Sequence, residues 1–203
     1  MFTGIIEEVA EVVAISTEGT NKIFTITAPF TEEIQVDQSI SHNGTCLTVT
    51  SLSEVTDHHV TYTVTAVQET LQKTQLNDWE VGSLINVERS MQVGDRIDGH
   101  FVQGHVDTVG KVLEVREVGG SWIFTFSFPK EHANLLVNKG SICINGVSLT
   151  VIEAGEGSFT VTIIPYTFEH TNFKVLQAGM LINLEFDILG KYIDKLLAAR
   201  LEK

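Results

Sequence analysis

Two short blocks of the 203-residue chain share a frame and differ where a nucleophile could stand. Asn43-Gly44-Thr45-Cys46-Leu47-Thr48-Val49 returns as Asn145-Gly146-Val147-Ser148-Leu149-Thr150-Val151, so a thiol in one copy answers a hydroxyl in the other. Ile5 answers His105 in the same comparison, and Ser41-His42 answers Cys143-Ile144. Histidine titrates near neutral pH and can move protons. Divergence at polar positions inside matching blocks has two explanations, divided labour between the copies or neutral drift. The residues alone leave both open.

The segment Asp98–Asp107 gathers polar groups beside glycines. Read as a strand, it sends His100 and His105 to opposite faces, which makes them poor joint ligands, and no metal site is expected. Gly104 to Lys111 superficially suggests a phosphate loop, but His105 and Val112 break that pattern. Threonines complete the inventory: Thr48, Thr65 and Thr70 in one half, Thr150, Thr162 and Thr167 in the other. Singly they are ordinary strand residues. Paired across both halves, they suit two matching pockets for a neutral, hydrogen-bonding ligand.

The elements that must position these groups repeat as well. Ile23-Phe24-Thr25 returns as Ile123-Phe124-Thr125, Thr63-Val64-Thr65 as Thr160-Val161-Thr162, and Gly82-x-Leu84-Ile85-Asn86-x-Glu88 as Gly179-x-Leu181-Ile182-Asn183-x-Glu185. The order is kept and the offsets drift by a few residues, as loop insertions produce. Apolar and Thr residues alternate over Ile23–Thr27 and 60–67, the pattern of half-buried strands. Asn-Gly between apolar runs predicts a hairpin with a type I′ turn, and Gly119-Gly120 predicts another turn. About six strands per half point to two small closed barrels, over 1–98 with a linker near 91–98, and over 99–187. From 188 to 203 the apolar spacing turns helical, giving a helix that packs on its own barrel or meets copies of itself.

Composition sets the outer limits. Thirteen Lys+Arg against 26 Asp+Glu give a net charge of −13, which argues against nucleic acid and anionic membranes as partners. Two cysteines are too few for a disulfide scaffold. Neither a signal peptide nor a transmembrane run is visible, so the expected setting is cytoplasmic with reduced thiols.

The opening Met1-Phe2-Thr3-Gly4-Ile5-Ile6-Glu7, the paired Asn-Gly-x-x-Leu-Thr-Val blocks, Gly99-His100 through Gly104-His105, and Ile164-Pro165-Tyr166-Thr167 resemble riboflavin synthase of the lumazine-dismutating alpha-chain type. The resemblance spans essentially the whole chain. It departs at Asp98, where many members carry glycine. It implies an all-β chain of two six-stranded Greek-key barrels, with a C-terminal helix that builds a homotrimer. Each barrel would bind one 6,7-dimethyl-8-ribityllumazine, at a site between the N-terminal barrel of one subunit and the C-terminal barrel of another. A four-carbon unit would pass between the two, giving riboflavin and 5-amino-6-(D-ribitylamino)uracil, with no metal or organic cofactor. Lumazine synthase is an expected partner.

Carried over position by position, the resemblance puts the N-terminal pocket at Gly4, Ile5, Ile6, Cys46, Leu47, Thr48, Thr65, Ala66, Val67, Gln68, Glu69 and Thr70. The C-terminal pocket falls at Gly104, His105, Val106, Lys139, Ser148, Leu149, Thr150, Thr162, Ile163, Ile164, Pro165, Tyr166 and Thr167. His105 is the expected proton carrier. Cys46 or Ser148 is expected to add to the electrophilic C7 or to direct a water at it. A competing class is a lumazine or flavin carrier without catalysis. A flavin-dependent reductase would need a nicotinamide site, for which no fingerprint is visible.

Overall fold

The computed structural model describes residues 1–30, 34–53 and 60–201. The first half is built from β1 (Glu8–Glu18), β2 (Asn21–Ala28), β3 (Ser39–His42), β4 (Thr45–Leu52), β5 (Val60–Ala66), a short helix α1 (Gln68–Lys73), a 3-10 turn (Gln75–Asp78) and β6 (Leu84–Arg89). The second half repeats this as β7 (Thr108–Val118), β8 (Ser121–Ser127), β9 (Ser141–Ile144), β10 (Val147–Ala154), β11 (Ser158–Ile163), α2 (Pro165–Glu169), a 3-10 turn (Asn172–Val175) and β12 (Leu181–Phe186). A further 3-10 segment (Lys130–Leu135) precedes β9, and α3 (Ile188–Leu201) ends the described chain.

Both halves close. The order β1-β2-β5-β4-β3-β6 returns from β6 to β1, and β7-β8-β11-β10-β9-β12 returns from β12 to β7, all antiparallel. Closure leaves no strand edge to pair with another chain. Matching bulges, between Val12 and Ala14 and between Val112 and Glu114, bend the long first strand of each barrel.

Side-chain alternation sends Phe24, Ile26, Val49, Tyr62, Val64 and Ile85 into the first barrel. Phenylalanines fill the second: Phe124, Phe126, Phe128, Phe159, Phe173 and Phe186. The barrel interiors are therefore packed cores, and ligand chemistry belongs to their outer walls.

The Asn-Gly hairpins form as the sequence predicts, with φ of 46° and 80° at Asn43 and Gly44 and of 47° and 83° at Asn145 and Gly146. They also do something local pattern cannot show. The two turns meet, and a Cβ on Gly44 would lie 2.9 Å from the Gly146 nitrogen. Buried amides seal the joint around them. Asn86 Nδ2 donates to the Asn145 carbonyl at 2.9 Å, and Asn183 Nδ2 donates to the Asn43 carbonyl at 2.8 Å. The Gln75 and Asn172 N–H groups donate to the Asn183 and Asn86 side chains, both at 2.7 Å. Each such pair satisfies a group that would otherwise cost about 1–3 kcal/mol to bury.

Candidate functional site

The chain ahead of each barrel crosses to the other one. Phe2 and Val102 pair on the line between the barrels, with N–H to carbonyl distances of 2.8 and 3.1 Å. Beyond that bridge the segments diverge. The Ser148 N–H donates to the Gly4 carbonyl, and the Cys46 N–H donates to the Gly104 carbonyl, each at 2.8 Å. Gly4–Ile6 therefore lies against the C-terminal barrel, and Gly104–Val106 against the N-terminal one. The barrel-wise grouping expected from sequence is corrected on this point. The repeat matches one segment to the other but cannot show which barrel each will touch.

Both glycines are required where they stand. Gly4 and Gly104 have φ of +78° and +80°, and a Cβ on either would come 2.6 Å from the Cβ of Ser148 or Cys46. Only a bare backbone fits so close to the facing strand. Carboxylates fix the two segments from behind. Glu88 Oε1 accepts from the Thr3 N–H at 2.6 Å and from its hydroxyl at 2.8 Å, and Oε2 accepts from the Gly4 N–H at 3.0 Å. Glu185 accepts from the N–H groups of Gln103, Gly104 and His105 at 2.6, 2.9 and 2.8 Å. Burial pushes the Glu88 carboxyl up to about 7, with the Thr3 and Gly4 donors pulling the other way. It pushes Glu185 up as well, against the Gln103 and His105 donors.

Two outer faces result. Cys46 and Thr48 share one side of β4, and the Val49–Val64 pair sets Thr65 of β5 beside them. Ser148 and Thr150 share one side of β10, and the Val151–Val161 pair sets Thr162 beside them. The other positions expected at the site fall on several different elements. Leu47, Ala66 and Ile163 are core side chains, and Leu149 leans on the second core. Thr70 and Thr167 sit on α1 and α2 and not at strand ends, with their carbonyls accepting from the Thr74 and Thr171 hydroxyls at 2.7 and 2.6 Å. Val67 and Ile164 cap these helices, and Gln68, Glu69, Pro165 and Tyr166 are exposed on them. Lys139, at φ 66°, is exposed in the turn before β9. Ile6 packs on the second core, while Ile5 opens into a cleft of about 820 Å3 beside Glu88 and the linker.

The faces differ in chemistry. His100 Nδ1 lies 2.6 Å from the Ser148 hydroxyl. Burial lowers the His100 pKa, opposed by the Asp187 charge, which favours the neutral ring. In the tautomer with its proton on Nε2, Nδ1 accepts from the serine hydroxyl. The segment carrying both histidines is not a strand apart from the bridge at Val102, and His100 lies at Ser148 while the glycine before His105 lies against Cys46. His105, exposed, follows directly on the glycine that covers Cys46. Cys46 itself is half-buried against Phe2, Val102 and Cys143. Cys143 is buried, and burial first, then Glu185 and Glu88, push its thiol well above the usual range, so it stays a packing residue. Sequence reasoning passed over His100 as a reacting group, because its contact with Ser148 joins residues far apart in the chain.

Duplicated antiparallel barrels, each presenting a polar outer face beside the other's glycine segment, define a double-barrel protein with two matching faces. The Lumazine binding domain family model matches residues 3–90 and again 103–187, and the chain belongs to that family. Riboflavin synthase of Actinobacillus pleuropneumoniae is 38% identical over 97% of this chain and 90% of its own. That of Bacillus subtilis strain 168 is 36% identical with the same coverage, and that of Schizosaccharomyces pombe is 36% identical over 99% and 96%. In fold, the chain matches the crystal structure of LumP complexed with riboflavin at a TM-score of 0.84 and 23% identity, covering 92% of this chain and 99% of that one. LumP complexed with 6,7-dimethyl-8-(1'-D-ribityl) lumazine gives 0.79 at 22% identity, with the same coverage.

Proposed function

We propose that the protein is a riboflavin synthase. It moves a four-carbon unit between two 6,7-dimethyl-8-ribityllumazine molecules, one on each barrel face, to yield riboflavin and 5-amino-6-(D-ribitylamino)uracil. The observation that carries this reading is the pair of equivalent faces with unequal reactive groups, Cys46 beside the His105 segment and Ser148 with His100. Two identical substrates in unequal roles call for that arrangement.

Thr48 and Thr150, with nearby N–H groups, hold the pyrimidinedione rings. The C7 methyl of one lumazine is acidic, and a histidine removes its proton. Cys46 or Ser148 adds to the C7 of the other or directs a water at it, activating that ring for attack by the carbanion, and the added group leaves again before the products part. Alignment of the two flat rings supplies much of the acceleration. Atoms balance without net water, and the chemistry calls for no cofactor. The faces lie on open outer walls, which supports a second subunit closing each site, in a homotrimer assembled through α3. Among the described residues no helix is long and apolar enough to cross a membrane. The cytoplasm is the expected setting, with lumazine synthase as the partner that supplies substrate.

The carrier reading is favoured by one observation, the match in fold to LumP. Incubation with the lumazine decides between the two. Appearance of the riboflavin chromophore is expected, and tight binding without conversion would make the protein a carrier. Ser148→Ala, Cys46→Ala and His105→Ala are each expected to lower turnover about 100-fold. Near wild-type turnover in all three would overturn the roles assigned.

A further inference from the structure

Glu88 and Glu185 occupy equivalent places in the two halves, each two residues after the interface asparagines Asn86 and Asn183. Both side chains leave their own barrel's closing strand and grip backbone N–H groups of the segment that precedes that barrel. The gripped glycine then turns its carbonyl to the reacting strand of the other barrel. Glu88 holds Gly4, whose carbonyl takes the Ser148 N–H, and Glu185 holds Gly104, whose carbonyl takes the Cys46 N–H. Each relay is a carboxylate, a glycine and a strand amide. On each side the carboxyl oxygens accept from three converging donors.

We infer that Glu88 and Glu185 are positioning residues with crossed targets: the N-terminal barrel's Glu88 sets the Ser148 face of the C-terminal barrel, and the C-terminal barrel's Glu185 sets the Cys46 face of the N-terminal barrel. Each carboxylate acts through the backbone it holds. Each determines how tightly a glycine backbone lies over the other barrel's reactive group, and so fixes the wall a ligand meets. The relay itself stands on geometry. Its effect on turnover rests on the synthase reading.

Glu88→Gln and Glu185→Gln keep the shape and replace one acceptor with a donor that opposes an N–H. Amide hydrogen exchange of the otherwise wild-type chain reads the relay directly. Glu88→Gln is expected to speed exchange at the Ser148 amide about tenfold and leave the Cys46 amide unchanged, and Glu185→Gln is expected to do the reverse. Equal acceleration of both amides in either variant, or none in either, overturns the inference. Should a Gln variant not fold, Glu88→Asp and Glu185→Asp keep the charge, withdraw the oxygens by one bond and must show the same crossed pattern.

Turnover supplies a second arm. Glu88→Gln should cost little further activity in a Ser148→Ala background and its full effect in a Cys46→Ala background, since it acts through Ser148. Equal cost in both backgrounds overturns the catalytic half. Absence of any lumazine turnover in the wild-type chain would instead remove the synthase reading and leave the exchange result standing.

Discussion

At the scale of single residues, the first barrel carries a buried titratable pair that the reaction does not use. His42 lies in the core with Nε2 2.9 Å from the Tyr62 hydroxyl, and its counterpart in the second barrel is Ile144. Burial lowers its pKa from 6.5 to about 3, with backbone contacts to Ile40 and Thr45 opposing. The unfolded chain takes up this proton below 6.5 and the folded chain does not until about 3, so the stability from keeping His42 neutral is present above 6.5 and lost as pH falls through that window. The loss across the window is on the order of a few kcal/mol. His42→Asn should therefore flatten the fall in urea midpoint between pH 6.5 and 4 relative to wild type; an unchanged slope would place the titration elsewhere. Cys46 and Ser148 were legible in the sequence because repetition sets them side by side. His100 was not, because the repeat alignment gives it no counterpart to compare with.

At the scale of elements, the glycine segments are the most demanding pieces of backbone. Gly104 and Gly19 both adopt positive φ, +80° and +61°, but a Cβ on Gly19 meets nothing within 4 Å. Gly19→Ala should cost about 1 kcal/mol of conformational strain. Gly104→Ala bears the same strain and also drives a methyl into Cys46, so a further loss of about 2 kcal/mol is expected. Denaturant midpoints of the two variants measure the difference, and equal losses would mean that the approach to Cys46 is relaxed. Strands and hairpins were legible because alternation and Asn-Gly are local signals. The helices α1 and α2 were not, since segments of six and five residues are too short to show a helical period. The crossing of segments between barrels depends on contacts at long sequence separation, which no window of sequence contains.

At the scale of the whole molecule, α3 stands out by what it leaves uncovered. Asp107 pairs with Lys191 near its start, yet Leu189, Tyr192, Ile193, Leu196 and Leu197 are 55–67% exposed. A run of apolar side chains this open is stable when a partner covers it. A chain lacking 188–203 should therefore scatter light as a monomer and turn over lumazine weakly; a mass per particle that still reports the same number of subunits as the full chain would remove α3 from the assembly. The two barrels and the terminal helix were all legible in sequence. The amide-lined joint was not, because Asn86 and Asn183 read there as ordinary strand residues. The paired Phe2–Val102 bridge also sets an order of events during synthesis. Phe2 and Gly4 find their resting places only after Val102 and Ser148 have been made. The first barrel can close its strands early, yet the segment ahead of β1 must wait for partners made about a hundred residues later, so a part translated before that barrel is among the last to dock.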